Sequence, residues 1–269
     1  MFKNIIAIAG VPRSGTSWLG QIIDSSPDVA FRTQPLFSYA FKDAVNEDSP
    51  REEYEAFFRA IYYSRDPFLL QTEKREKGLY PTFEKNANPR FLAFKTCRYQ
   101  YVLPKMLQHF ENLKLIGIVR HPCGAINSWL KTAKEFPKNA VPRNEWRFGA
   151  CRNKGRPEEF FGYYKWKEVA HLYLDLQDRH PSRVDIIRYD RLVGRPYAES
   201  YGMFDFLGLE VTAQTEAFLE ACHASHDEDP YSVFKAPSVK DKWEQELDPY
   251  IASEILQDLI GTRLERFLA

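Results

Sequence analysis

The 269-residue sequence predicts an α/β fold, a three-layer sandwich in which helices cover both faces of a central parallel sheet. Three observations predict it. Short apolar runs alternate with longer amphipathic stretches, the pattern of strands joined by crossover helices. The runs at residues 5–10 (IIAIAG) and 113–119 (LKLIGIV) are nearly continuously apolar, as in strands buried on both faces. No Ser/Gly linker, low-complexity run or internal repeat divides the chain, and 44% hydrophobic content suffices for one large core, so residues 1–269 are expected to form a single domain.

The elements follow in order. After the first strand, residues 16–26 read as a helix carrying Trp18, Leu19, Ile22 and Ile23, and residues 28–32 as a short strand. Residues 51–63 read as a helix with glutamates on one side and Phe57, Phe58 and Ile61 on the other. A strand at 91–95, a helix at 99–110 and the strand at 113–119 come next. Residues 157–179 form a long predicted helix whose Trp166, Val169, Ala170, Tyr173 and Leu176 recur at helical spacing and belong in the core. Residues 184–189 read as a strand leading into a polar turn. Asp248-Pro249 is a cap for a last helix running to Phe267, with Ile251, Ile255 and Leu259 four apart.

Composition narrows the function. With 37 basic and 37 acidic side chains the net charge is zero, which argues against a general nucleic-acid surface. The four cysteines, Cys97, Cys123, Cys151 and Cys222, show neither CxxC pairing nor metal spacing, so reduced thiols and no metal are expected. Met1-Phe-Lys-Asn enters the first strand directly, and no apolar run approaches the ~18 residues of a spanning helix. A cytoplasmic protein is the expectation.

Two segments carry the chemistry. Gly10-Val-Pro-Arg-Ser-Gly-Thr-Ser17 follows the first strand without a gap, with its glycines spaced as in the nucleotide loop GxxxxGK[ST]. The lysine of that loop is replaced by Thr16, and the nearest cation is Arg13. Such a P-loop-like turn can cradle a phosphate through backbone N–H groups and the start of the next helix, but is poorly equipped to transfer a γ-phosphate. The second segment, Arg120 to Ser128, follows the strand at 113–119. Pro122 suits a first helical turn, which puts Arg120 at the strand's carboxyl end and Ser128 about two turns into the helix. Both can face one anion, and an arginine fork suits a phosphate that is recognised but left unaltered.

The run Pro12-Arg-Ser-Gly-Thr-Ser-Trp-Leu19 resembles, over eight consecutive positions, the 5′-phosphosulfate loop of sulfotransferases, P-[KR]-S-G-[TS]-[TS]-W-L. These enzymes use 3′-phosphoadenosine 5′-phosphosulfate (PAPS). The resemblance implies that Arg13 stands for the loop lysine at the bridging oxygen, that Ser14, Gly15, Thr16 and Ser17 belong to the cradle, and that Trp18 stacks on adenine. Arg120 and Ser128 keep the spacing of the family's 3′-phosphate pair. Lys95, in Lys95-Thr-Cys-Arg98, falls on the lysine that helps hold the sulfonate, and Tyr189 on a tyrosine that approaches adenine. Lys235, Lys240 and Lys242 fall where the family folds a basic loop over the 3′-phosphate.

The resemblance covers the chain loosely and is specific in residues 12–19 and 120–128. It departs at the general base. The catalytic histidine of cytosolic members is Cys97 here, and the glutamate of many carbohydrate enzymes is matched by Gln34, which cannot take a proton. His121, His226, Asp43 and Cys97 are the remaining candidates. The expected reaction is sulfonate transfer from PAPS to a hydroxyl, leaving adenosine 3′,5′-bisphosphate, by an enzyme nearer the bacterial and carbohydrate branches. A carbohydrate or glycolipid is the first acceptor class and a small phenol or natural-product hydroxyl the second. The stretch 132–156, with Lys134, Lys138, Arg143, Arg147, Arg152, Lys154 and Arg156 among Phe136, Trp146 and Phe148, is expected to be an acceptor wall or lid, or a surface insertion. Two other readings stay open: a nucleotide kinase or NTPase, and a nucleotide-binding module without activity.

Overall fold

The computed structural model describes residues 4–224, 229, 232–234 and 241–268. Strands β1 (Asn4–Ala9), β2 (Val29–Thr33), β3 (Phe91–Thr96), β4 (Leu113–Val119) and β5 (Val184–Arg188) form one parallel sheet in the order β2-β3-β1-β4-β5. Side chains alternate across each strand. Ile5, Ala7 and Ala9 of β1, Leu92 and Phe94 of β3, and Leu113 and Leu115 of β4 enter one core. Ile6 and Ile8, Phe91 and Ala93, and Ile116 and Ile118 enter the other. Two cores explain the continuously apolar strands.

Helices α1 (Thr16–Asp24), α2 (Arg51–Tyr63), α3 (Pro67–Leu70), α4 (Thr72–Glu76), α5 (Leu103–His109), α6 (Pro122–Leu130), α7 (Pro142–Glu145) and α8 (Ala150–Asn153) come before α9 (Tyr163–Arg179). They are followed by α10 (Tyr189–Gly194), α11 (Pro196–Leu207), α12 (Ala213–Ala224), α13 (Trp243–Glu246) and α14 (Pro249–Leu259). Buried residues of α2, α5, α6, α9 and α14 join the first core, and those of α1, α10, α11 and α12 the second. The helix after β1 and the helix after β4 therefore lie on opposite faces. That makes the carboxyl ends of β1 and β4 the switch point of the sheet, where such folds open a ligand crevice.

Four boundaries differ from the sequence expectation. The helix expected at 99–110 is broken: a 3-10 turn, Gln100–Val102, precedes α5, which has Pro104 in its first turn. The helix expected from 157 begins only at Tyr163, because Gly162 has φ 92° and lies against another backbone; a Cβ there would stand 2.7 Å from the Gly149 amide nitrogen. The last helix ends at Leu259, followed by Gly261 at φ 75° and a 3-10 turn, Glu265–Phe267. β5 passes directly into α10 rather than into a polar turn.

The cationic stretch 132–156 is largely tied down. Phe136 and Trp146 are buried, Arg143 pairs with Asp248 at 2.5 Å, and Arg147 pairs with Glu254 of α14. Those two arginines brace the helix that follows Asp248, whose side chain caps α14 by accepting from the Tyr250 amide at 2.9 Å.

Candidate active site

The turn between β1 and α1 is built by its backbone. A Cβ on Gly10 would stand 2.7 Å from the Thr16 methyl and 2.9 Å from the Ile118 carbonyl, so only glycine lets β1 run this close to β4. Arg13 and Gly15 both have left-handed backbones, with φ 69° and 92°. For a non-glycine residue this conformation costs on the order of 1–3 kcal/mol and recurs at functional turns. At Gly15 a Cβ would stand 2.5 Å from the Tyr189 ring, which lies against the turn. α1 then starts at Thr16 with no side-chain cap and no acidic residue in its first turn, an end that favours an anion. The Ser14 hydroxyl beside it is buried without a hydrogen-bond partner.

Arg120 leaves β4 beside this turn. It is 7% exposed, donates from NH1 to the Arg13 carbonyl at 3.2 Å and holds its guanidinium 4.7 Å from the Tyr189 ring centre. Its own carbonyl accepts from Trp166 Nε1 at 3.0 Å. Burial lowers its pKa from the usual arginine value, against the opposing pull of Tyr189 and Asp190. An anion at this point would offset that desolvation. Gly124 leaves room for it, since a Cβ would stand 3.0 Å from Arg120 Nε. Arg13 Nε donates to the Ser128 hydroxyl at 3.2 Å, so the two motifs, 115 residues apart in sequence, are hydrogen-bonded to each other.

Lys95, at the end of β3, donates from Nζ to the Ser17 hydroxyl at 2.9 Å. Behind it Tyr80 receives Lys74 at 3.3 Å. Burial pushes the Tyr80 phenol up, but Lys95 and Lys74 outweigh it and hold the group below its ordinary value. Trp18 meets Tyr189 edge-on at 6.5 Å.

These elements enclose one cavity of about 260 Å³. Arg13, Gly15, Thr16, Trp18, Arg120, Ser128 and Tyr189 line it together with Val193, Leu219 and Val233. Gln34, Lys95, Cys97, Arg98, Glu135, Arg152 and Phe161 line it as well. Ser17 also lines it. Lys235, with Lys240 and His226, lies outside the described residues, and Lys242 is exposed and does not reach the wall.

Two of the sequence's candidate bases, His121 and Asp43, lie away from the cavity. His121 caps α6 from outside the cavity, stacked on Trp243 at 4.5 Å and 12°, and burial, helped by Arg120, pushes its pKa down to about 4. Asp43 accepts from the Tyr99 hydroxyl at 2.6 Å away from the wall. Cys97 does line the cavity, 3.0 Å from the Thr16 hydroxyl. Gln34 is fixed by Arg98 at 3.4 Å; Arg98 in turn pairs with buried Glu159 at 2.8 Å and lies 3.8 Å from the Phe37 ring centre. Sequence reasoning missed Arg98, Glu135 and Tyr80. The available signal was slight: Arg98 closes the Lys95 segment, and Glu135 follows the end of α6.

The sequence profile of the sulfotransferase family matches residues 6–213. The chain belongs to the sulfotransferase family. It is therefore an enzyme of sulfonate transfer, of the PAPS-dependent class its two motifs resemble. This sulfotransferase is 23% identical over 221 residues to a putative protein-tyrosine sulfotransferase of Caenorhabditis briggsae, covering 79% of the present chain and 68% of the relative. It shares its fold with a mouse sulfotransferase crystallised with PAP, at a TM-score of 0.56 and 16% identity, over 98% of this chain and 88% of the other. A sulfotransferase from Alicyclobacillus acidocaldarius aligns over 100% of both chains, at a TM-score of 0.52 and 14% identity. Among the described residues of this sulfotransferase, no helix is long and apolar enough to cross a membrane.

Proposed function

We propose that this enzyme takes its sulfonate from PAPS, releases adenosine 3′,5′-bisphosphate and sulfonates the hydroxyl of a carbohydrate or glycolipid, as in the bacterial and carbohydrate branches. The supporting observation is the shared cavity, which the uncapped start of α1 and the Arg120/Ser128 pair both line, joined through the Arg13–Ser128 hydrogen bond of 3.2 Å. Arg120 and Ser128 hold the 3′-phosphate. The turn amides with Ser14, Gly15, Thr16 and Ser17 hold the 5′-phosphate, and Trp18 and Tyr189 flank the adenine. Arg13 and Lys95 balance the charge that builds on the sulfonate and leaving oxygen. No metal enters this scheme, and Lys235 joins it only as a candidate for the 3′-phosphate.

The acceptor side mixes aromatic faces with fixed polar groups: Phe161 with Arg152 at 5.3 Å, and Gln34 held by Arg98. That combination supports a polyhydroxylated ring. A phenolic hydroxyl is the second reading, favoured by the relative whose name refers to protein tyrosine. Free thiols at Cys97, Cys123, Cys151 and Cys222 support a reducing compartment such as the cytoplasm. Incubation with sulfur-labelled PAPS and a panel of sugars, glycolipids and phenols tests the reading. Labelled product from a sugar or glycolipid is expected. Bisphosphate binding without transfer to any member would favour the inactive binding module, and magnesium-dependent ATP turnover the kinase.

A further inference from the structure

We propose that the Glu135 carboxylate receives the proton of the acceptor hydroxyl. The inference rests on the PAPS-dependent reading above and supplies the base that Gln34 and Cys97 leave open. Among the described residues that line the cavity, Glu135 is the one carboxylate, and no described histidine lines it. Of the other ionisable groups there, the Cys222 thiol is pushed up to about 12 by burial and is protonated at neutral pH. Cys97 is engaged with the Thr16 hydroxyl at 3.0 Å.

Position supports the same assignment. Glu135 Oε1 stands 3.8 Å from Nη1 of Arg13, whose Nε donates to Ser128 at 3.2 Å, so the carboxylate lies beside the cation assigned to the oxygen that leaves sulfur. Its side chain is only 18% exposed. Its backbone is fixed on both sides: the amide donates to the Thr132 carbonyl at 2.8 Å, and the carbonyl accepts from Trp129 Nε1 at 3.3 Å. Trp129 packs against Phe136 at 5.3 Å and Phe161 at 5.7 Å, and the Thr132 hydroxyl donates to the Ser128 carbonyl at 2.6 Å. One rigid unit thus carries both Ser128 of the 3′-phosphate pair and Glu135, which presets the distance between donor and base.

The step balances. The acceptor oxygen bonds to sulfur, the bond from sulfur to the 5′-phosphate oxygen breaks, and its electron pair leaves with adenosine 3′,5′-bisphosphate. The acceptor proton passes to Glu135, which releases it to water after product departs.

The test compares the full-length enzyme with Glu135→Gln and Glu135→Asp, using two acceptors of similar shape, 4-methoxyphenol and pentafluorophenol; the second is already ionised at neutral pH. Titration with adenosine 3′,5′-bisphosphate comes first, and binding equal to or tighter than wild type is expected, because the substitution removes a negative charge beside Arg13. For 4-methoxyphenol, Glu135→Gln should lower kcat by about 10²–10⁴-fold at similar KM, with partial recovery in Glu135→Asp. For pentafluorophenol the loss should stay under about tenfold, since no proton remains to be removed. Equal losses with both acceptors, lost bisphosphate binding, or an unchanged kcat would each overturn the assignment to Glu135. If the wild type sulfonates a sugar and neither phenol, Glu135→Gln should lower kcat for that sugar by about 10²–10⁴-fold with bisphosphate binding kept, and an unchanged kcat would overturn the assignment. Failure of the wild type to transfer to either phenol or to any member of the wider panel would overturn the underlying reading instead, and this inference with it.

Discussion

Two parts of the cavity lining are built by different means. The part proposed for the donor, the donor wall, rests on backbone: Gly10 and Gly15 set a turn that no bulkier residue fits, the uncapped start of α1 follows, and Arg120 leaves the neighbouring strand. The remaining lining is mostly side chain. Gln34 and Arg98 are held by a hydrogen bond, an ion pair and a ring contact that cross long stretches of chain, while Glu135 and Arg152 share the stretch 132–156. A pocket made of backbone is specified by neighbours in sequence, whereas one made of side chains is specified by the finished fold.

That contrast is broken most sharply at Arg98. Arg98→Met leaves Glu159, itself 1% exposed, without its buried partner, and should lower stability by about 3–5 kcal/mol in urea unfolding, since breaking one side of a buried pair strands a charge. An effect below about 1 kcal/mol would mean that Arg156, 3.0 Å from the same carboxylate, suffices. The start of α6, beside Arg120, should make stability respond to pH through His121. Its folded pKa of about 4 lies below the ordinary 6.5, so the unfolded chain takes up the proton first as pH falls. Stability is therefore fully present above about pH 6.5 and declines toward pH 4, by on the order of 3 kcal/mol. His121→Gln should flatten that slope between pH 7 and 5, and an equal slope in both proteins would place the titration elsewhere.

Smaller effects separate backbone from side chain within the donor wall. Gly15→Ala forces a side chain into φ 92° and against the Tyr189 ring, and should weaken bisphosphate binding by about 100-fold, roughly 2.7 kcal/mol. Arg13→Lys keeps the charge and restores the usual spelling of the loop, so its loss should stay under about tenfold. Were the second loss to exceed the first, side-chain geometry and not the turn would dominate the donor wall. Both are read by calorimetric titration.

The same division decides what was legible in the sequence. Strands buried on both faces announce themselves as continuous apolar runs, and a glycine turn or an Arg/Ser pair eight residues apart is a local pattern, so the sheet and the donor wall could be read directly. Other features depend on chain segments that meet only after folding. α9 starts at Tyr163 rather than near residue 157 because Gly162 crosses Gly149, which nothing at residue 157 signals. Arg143 and Arg147 look like ligand-facing cations until Asp248, which caps α14, and Glu254 within it pair with them. Glu135 is one of two acids in a cationic stretch, and nothing in the local sequence tells it from Glu145; only the fold brings it to the cavity beside Arg13. His121, by contrast, fits its plain reading as a helix-start residue.

The central claim is that one donor spans the glycine turn and the Arg120/Ser128 pair. The most direct measurement is calorimetric titration of the wild type and Arg120→Ala with adenosine 3′,5′-bisphosphate and with AMP, which differ only in the 3′-phosphate. Wild type should bind the bisphosphate at least about 100-fold more tightly, as expected for a bidentate arginine–phosphate contact with a serine hydroxyl beside it, and Arg120→Ala should bring the two affinities together. Equal affinities in the wild type, or a preference that survives loss of Arg120, would contradict the account.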